Sequence, residues 1–318
     1  MRATTANARR PGVPSLGRRR QAARILCRVT LYEIHPSAEP GAGFTAPIVV
    51  AAFDTWVDAG LAATTAAEHL AGSGPVLVTF DPDALFDYRA RRPTLEIVDG
   101  RLARLTWPSL TIRRARLGDH DLLVFAGAEP DFRWRALTRA VVELLGRFGV
   151  SEWISLGAIP AAVPHTRPVP ILGTASAPGL LRGGVEAGPE GTLRVPSAAI
   201  SVLEQAVAAA GIPAVGYFAQ IPHYVSGAYP AAAAELLRAV GRHLGAPPPL
   251  GDLDELARQL RTRLDTAAAV DEATRSYVER LEAMVDEARL PSGEDLISEI
   301  ERFVRERGNG GPSSGPSR

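Results

Sequence analysis

Ser155-Leu156-Gly157-Ala158-Ile159-Pro160-Ala161-Ala162-Val163-Pro164-His165-Thr166-Arg167-Pro168 runs from an apolar stretch through small residues into a loop that carries three prolines. Each proline fixes its own φ and biases the residue before it away from helix. The segment therefore stays extended, and His165 and Arg167 are the polar residues it presents. A strand that feeds a stiff polar loop is how open α/β sheets place sites beyond the carboxyl ends of their strands. The stretch indicates the class of fold and the edge at which a site would lie, but it names no reaction.

Strand and helix patterns alternate on both sides of it. Pro47 to Phe53, Val76 to Phe80 and Asp121 to Ala126 are short apolar runs suited to strands buried on both faces. Asp58 to Leu70 reads as a helix, and Pro82 to Tyr88 as a short one. Asp99-Gly100, between 94–98 and 102–106, is the strongest hairpin signal in the chain. Phe132 to Phe148 is a helix whose apolar residues, Leu137, Val141, Leu144, Leu145 and Phe148, recur at helical spacing before Gly149 ends it. Trp153 to Leu156, Val169 to Thr174 and Pro213 to Ile221 are expected strands. Ser197 to Ala210 reads as a helix capped by its serine, and Pro230 opens another at its first position. This alternation predicts a mainly parallel sheet with helices on both faces, a three-layer αβα sandwich.

Beyond Ala246-Pro247-Pro248-Pro249 the pattern is all helix to Arg307. Three apolar stripes follow: Leu253, Leu256, Leu260 and Leu264; then Tyr277, Leu281, Met284, Val285 and Ala288; then Leu296, Ile300, Phe303 and Val304 after Ser292. Such narrow stripes must bury against something, either the parent domain or another subunit. The organisation expected is a disordered basic arm over 1–24, an α/β domain over 25–249, a helical extension over 250–307 and a disordered tail over 308–318.

Composition excludes several chemistries. All 35 basic residues are arginine, so no lysine is present for a Schiff base, a phosphate-loop amine or a general base. Seven of the arginines lie in residues 1–24, which contain no acid. The remaining 28 face 35 carboxylates, and an acidic body argues against nucleic acid as a partner. Cys27 is the single cysteine and reads as a small buried apolar residue; with one thiol, an internal disulfide and a cysteine-rich zinc site are excluded. The six histidines have no local metal-ligand spacing. No run approaches the roughly 20 apolar residues of a membrane span, and the basic arm lacks the apolar core of a signal peptide. The expectation is a cytoplasmic protein with no membrane partner, metal or cofactor. Gly41-Ala42-Gly43-Phe44-Thr45-Ala46 has the spacing of a dinucleotide fingerprint, but it precedes a strand instead of joining strand to helix.

Four loops are expected to gather at the carboxyl edge of the sheet, and they bring Asp58, Glu129, His165, Arg167 and His223 toward one concavity. The first, Asp54 to Gly60, holds Asp54 and Asp58; an acid at a helix start is most simply a cap, and Asp131 in the second loop reads the same way. Glu129 in that loop is less easily explained as structure. His165 and Arg167 lie in the third loop. Pro222-His223-Tyr224 in the fourth repeats the Pro-His pair. Arginine offers a planar fork for a carboxylate or phosphate, and histidine and glutamate supply donors or acceptors.

Taken together, Asp54 to Gly60, Phe86-Asp87-Tyr88-Arg89-Ala90-Arg91-Arg92-Pro93, Gly127-Ala128-Glu129-Pro130-Asp131, Ser155 to Pro168, Ile221-Pro222-His223-Tyr224 and Leu290-Pro291-Ser292-Gly293-Glu294-Asp295 resemble the proteasome assembly chaperone 2 family in its actinobacterial branch. The resemblance implies a nucleoside-phosphorylase-like αβα sandwich with a helical C-terminal extension. It also implies homo-oligomers, as trimers. Eukaryotic and some archaeal relatives are non-enzymatic chaperones for proteasome assembly, while some bacterial members carry a carboxylate–amine ligase or ATP-grasp label. Two departures stand out. The family's Glu-Gly in the first loop is Asp54-Thr55 here, and the hydrophobic-Tyr-X tail of some archaeal relatives is replaced by Gly-Pro-Ser-Ser-Gly-Pro-Ser-Arg. The function expected is a non-catalytic assembly or protein-binding role with proteasome subunits as partners. The alternative is an enzyme acting on a small anionic or nucleoside-like substrate, with Asp54, Asp58, Glu129, His165, Arg167, His223 and Tyr224 as candidate ligand-binding residues.

Overall fold

A computed structural model describes residues 31–36, 43–189 and 191–288. Contacts divide the chain after Thr30, and all the described residues belong to the second unit, from Leu31 onward. The basic arm, Cys27, the third C-terminal stripe and the tail lie outside the described residues.

An eight-stranded sheet forms the middle layer. Its strands are β1 (Tyr32–Ile34), β2 (Ile48–Phe53), β3 (Val76–Phe80), β6 (Leu110–Leu117), β7 (His120–Gly127), β8 (Glu152–Ala161), β9 (Ile171–Ala175) and β10 (Ala214–Pro222), in the order β1-β3-β6-β7-β2-β8-β10-β9. The centre is parallel, with β2 pairing β7 and β8, and β8 pairing β10. Antiparallel strands close both sides: β6 against β7 and β3, β1 against β3, and β9 against β10. The remaining strands, β4 (Thr94–Val98) and β5 (Arg101–Thr106), form a separate hairpin.

Alternation along β2 shows how the layers form. Val49, Ala51 and Phe53 join one apolar cluster, and Ile48, Val50 and Ala52 join the other. Both faces of the sheet are thus covered, as a period-two apolar run in a central strand requires. Helices α3 (Trp134–Phe148) and α4 (Ala199–Ala209) cover the first face, together with the short helix α2 (Pro82–Leu85). The buried residues of α3 are Leu137, Val141, Leu144, Leu145 and Phe148, and Gly149 adopts the left-handed conformation that ends it. Helices α1 (Ala62–Ala71) and α5 (Pro230–Leu244) cover the second face.

Helix α6 (Leu253–Val270) packs on α5, with Leu253 buried in the same cluster and Leu260 and Leu264 against it. Helix α7 (Glu272–Ala288) packs on α6 and buries Val278 and Leu281. The expected stripes are corrected at two places: Leu256 and Met284 are exposed. The stripe of α6 runs through Leu253, Leu260 and Leu264, and Leu256 falls outside that arc.

Other expectations need correction. Strand β6 is an addition to the expected set. Helix α2 ends at Leu85, short of Tyr88, after Asp81 accepts from the Asp83 N–H. Ser197 does not cap α4: its hydroxyl donates to the Ala198 carbonyl, and the helix begins at Ala199 with no cap from its own N-terminal residue. Asp131 caps nothing on α3; its carboxylate accepts from the Asp87 N–H and ties two loops together.

Candidate functional site

The loops after β2, β7, β8 and β10 all leave the carboxyl edge, because these four strands run the same way. Their polar residues form two groups, with Asp58 buried below the first.

In the first group, Asp54 follows β2 and its N–H donates to the Gly127 carbonyl. Its Oδ1 accepts from the Glu129 N–H at 2.9 Å and from the Thr55 hydroxyl at 2.9 Å, and its Oδ2 takes Arg91 Nη1 at 2.7 Å. Arg91 Nη2 also donates to Thr55 Oγ1 at 2.9 Å. Thr55 has φ of +79°, a left-handed conformation that a β-branched residue adopts at a cost of roughly 1–3 kcal/mol. Its two hydroxyl hydrogen bonds hold it there. Glu129 Oε1 accepts from the Ala199 N–H at 2.7 Å, so the cap missing from α4 is supplied by a carboxylate from another loop, at the positive end of the helix. Burial, followed by the nearby Asp54 charge, pushes the Glu129 pKa up against the hydrogen bond from Ala199 and the charge of Arg91.

Asp58 accepts from the N–H groups of Ala63 (2.7 Å) and Thr64 (3.3 Å) and from the Thr64 hydroxyl. It is a cap for α1, reached across a 3-10 turn (Ala59–Leu61). Gly60 makes the turn possible. It has φ of +63°, and a side-chain carbon there would sit 2.7 Å from Tyr229 Cβ.

The second group holds the proline-rich loop against the C-terminal helices. The Tyr224 hydroxyl accepts from the His165 N–H at 2.8 Å and lies 2.7 Å from its Nδ1. Having one proton, it gives it to Nδ1, which leaves the ring proton on Nε2 to donate to Asp265 Oδ1 at 3.1 Å. Burial pushes the His165 pKa down, and Asp265 partly offsets this. Arg167 forks onto Asp286 through Nε and Nη2 at 2.9 and 2.6 Å, and reaches Glu282 through Nη1 at 3.2 Å. The Thr166 hydroxyl donates to Glu282, Arg261 donates to the His165 carbonyl, and Tyr277 meets His223 Nε2 at 3.1 Å. His165, Arg167, His223 and Tyr224 are thus all engaged with residues near or on α6 and α7.

The expected single concavity is not what the structure holds. Asp54 and Arg91 line a cavity of about 470 Å³ with Thr64, Glu68, Arg92 and Ser109. His165 and Arg167 line one of about 520 Å³ between the loop, α5 and α6. These two cavities share no lining residue. Among the described residues, no cluster of three or more His, Cys, Asp or Glu side chains could hold a metal ion.

Sequence reasoning missed two buried networks below the edge. The Tyr217 hydroxyl lies 2.6 Å from His243 Nδ1, and His243 Nε2 is 2.9 Å from Glu152 Oε1. On the opposite face of the sheet, Trp153 Nε1 donates to Ser155 Oγ at 2.8 Å, and Thr174 donates to Glu204. Burial raises the Glu204 pKa, against hydrogen bonds from Ser155 and Thr174. Arg91, which belongs to the quoted Phe86 to Pro93 motif, also proves to be the centre of the first group.

The family model for the PAC2 family matches residues 52–268. The chain belongs to the PAC2 family. Solved structures carry the match further than the family model. A protein of unknown function from Corynebacterium glutamicum superposes with a TM-score of 0.77 at 29% identity, covering 83% of this PAC2 chain and 99% of its own. A proteasome-assembly chaperone homologue from Mycobacterium tuberculosis is 36% identical, with a TM-score of 0.66 over 73% of this chain and 99% of its own. An archaeal proteasome activator from Pyrococcus furiosus, at 16% identity and a TM-score of 0.58, covers 75% of this chain and 99% of its own and shares the fold. No curated protein matches the sequence. Among the described residues, no helix is long and apolar enough to cross a membrane.

The second group makes a prediction about this PAC2 member. His165→Ala removes the contacts to Tyr224 and Asp265, a loss of roughly 1–3 kcal/mol for buried hydrogen bonds. Because the partners lie on or beside α6 and α7, the loss should be local. Amide exchange across Glu272–Ala288 should quicken about tenfold or more, while that of α3 stays as in the wild type. Equal acceleration in both helices would contradict the assignment.

Proposed function

We propose that this chain is a non-catalytic, chaperone-like protein-binding scaffold, linked to proteasome subunits and working in the cytoplasm as a homo-oligomer of three copies on the family's pattern. The observation that carries this reading is the state of the carboxyl edge. Asp58 and Glu129 are spent on helix caps, and His165, Arg167, His223 and Tyr224 on holding a loop and two helices. The edge also offers large apolar side chains outward: Trp56 is 58% exposed and Phe132 49%, with Leu61 also exposed. Large exposed aromatic residues are the usual anchors of protein interfaces. The similarity to a proteasome-assembly chaperone homologue supports the same reading.

The test is affinity capture from the native host with the wild type and with a Trp56→Ala/Phe132→Ala double variant, beside a screen for bound metabolites. Proteasome subunits captured by the wild type and reduced tenfold or more by the variant, at unchanged melting temperature, are the expected result. Absence of any proteasome subunit, together with a stoichiometric small metabolite, would overturn it.

One observation favours the alternative of a small anionic substrate. Arg91 Nε is buried without a hydrogen-bond partner, beside the strained Thr55 and the cavity of about 470 Å³. If the metabolite screen returned a carboxylate or phosphate whose binding is abolished by Arg91→Ala, that reading would replace the scaffold.

A further inference from the structure

A cleft opens between helices α5 and α6 and is closed at one end by the proline-rich loop. It encloses about 520 Å³, within the roughly 300–1,000 Å³ of small-molecule sites. Its middle is apolar. Val169, Leu260 and Leu264 line it, and the second apolar layer covers each of them only in part. At the end away from the loop, Arg238 pairs with Asp254 at 2.5 Å and with Glu235 at 3.7 Å, so the charges there are matched.

The loop end is different. Tyr229 is only 5% exposed, and its hydroxyl bonds to no described residue. Among the described residues, Arg91 Nε is the one side-chain polar atom sealed in without a partner. The Tyr229 hydroxyl is therefore not sealed in, and it opens onto the cleft that its side chain lines. Burial, and then Tyr224, push its pKa up to about 12 against the charge of Arg261, so at neutral pH it keeps its proton and can donate. Arg261 turns Nε to Asp265 at 3.0 Å and Nη1 to the His165 carbonyl at 3.2 Å, while its Nη2 meets no described acceptor. Arg167, on the same wall, has Nε, Nη1 and Nη2 all engaged with Asp286 and Glu282. The polar groups left over at this end, Tyr229 Oη and Arg261 Nη2, are both donors.

We propose that this cleft binds a small carboxylic acid with an apolar body, its carboxylate between the Tyr229 hydroxyl and Arg261 Nη2 and its body along Val169, Leu260 and Leu264. Two donors without acceptors call for a ligand that brings the acceptors. A carboxylate has one oxygen for each, and its charge is opposite to that of the guanidinium. A phosphate would bring more acceptors than this end has free donors. A sugar would lay its hydroxyls against the three apolar side chains, where they would lose water and gain no partner. The site goes beyond the scaffold reading: it needs neither a proteasome subunit nor a second copy, and its failure would leave that reading where it stands.

Calorimetric titration of the full chain with octanoate, beside octanol, tests it. Octanoate should bind once per chain with a Kd below about 1 mM, in keeping with a ligand of about ten non-hydrogen atoms, and octanol about tenfold or more weaker. Tyr229→Phe deletes only the hydroxyl. Because nothing described in the protein bonds to that hydroxyl, the melting temperature should hold while octanoate weakens about tenfold or more. Ala257→Phe, on the α6 wall, should fill the cleft and abolish binding. No saturable binding of octanoate up to about 10 mM would overturn the proposal, as would binding that Tyr229→Phe or Ala257→Phe leaves unchanged. Octanol binding as tightly as octanoate would overturn the assignment of a carboxylate.

Discussion

His243→Ala should destabilise the protein by about 3 kcal/mol or more, read as the shift in urea midpoint at unchanged slope. The imidazole is fully buried between the Tyr217 hydroxyl and the Glu152 carboxylate. Alanine would leave Tyr217 and Glu152 inside the protein without their bonds to His243. An orphaned buried group costs roughly 1–3 kcal/mol, and the cavity adds to it. Burial works to raise the Glu152 pKa, but the hydrogen bond and charge of His243, with Arg182, hold it below the ordinary glutamate range. A carboxylate held low contributes stability above its unfolded pKa and loses it as pH falls through its folded one. The gap between wild type and variant should therefore narrow as pH drops below about 4.5. A loss under about 1 kcal/mol at neutral pH, or a gap that widens in acid, would show that the ladder is not what holds β8 to α5.

Asp58→Ala is expected to cost about 2–3 kcal/mol, because two N–H groups in the first turn of α1 and the Thr64 hydroxyl lose their acceptor. Asp58→Asn keeps an oxygen for the N–H groups, and the Thr64 hydroxyl can turn to accept from the amide; its cost should stay within about 1 kcal/mol. The two forms, acid and amide, also separate in their pH dependence. Burial pushes the Asp58 pKa up against its hydrogen bonds, so ionising it costs the folded state. That cost is present at neutral pH and disappears as pH falls through the raised pKa. The Asp58→Asn variant would carry no such cost, so its melting temperature relative to wild type should be highest near neutral pH and fall toward about pH 4. The opposite slope would mean that the carboxylate is stabilised by its surroundings.

What the sequence made legible follows a physical rule. Signals carried within one element read correctly: the 3.6-residue spacing in α3, the Asp99-Gly100 turn, and the apolar run of β2 with both faces buried. β6 is hidden because Arg113, Arg114 and Arg116 interrupt its alternation. In the fold, Arg113 reaches back to the Gly72 and Gly74 carbonyls and Arg114 to Asp121, so these charges reach polar partners. At the candidate site the four loops fall on one edge as expected, but their partners are not readable. The acceptor for α4 comes from Glu129, and the partners of His165 and Arg167 come from α6 and α7. No spacing rule links residues so far apart in the chain. Tyr217, His243 and Glu152 likewise meet only once two strands and a helix are packed.

Neither apolar layer takes a side chain from Thr94 to Thr106. The hairpin is therefore a part of the chain on which selection can act without disturbing the sandwich. Recharging its exposed side chains or shortening its strands would leave every contact of the two apolar layers in place. The surface it offers can therefore diverge between relatives that keep the same three layers, and it is the stretch of this chain most open to recoding.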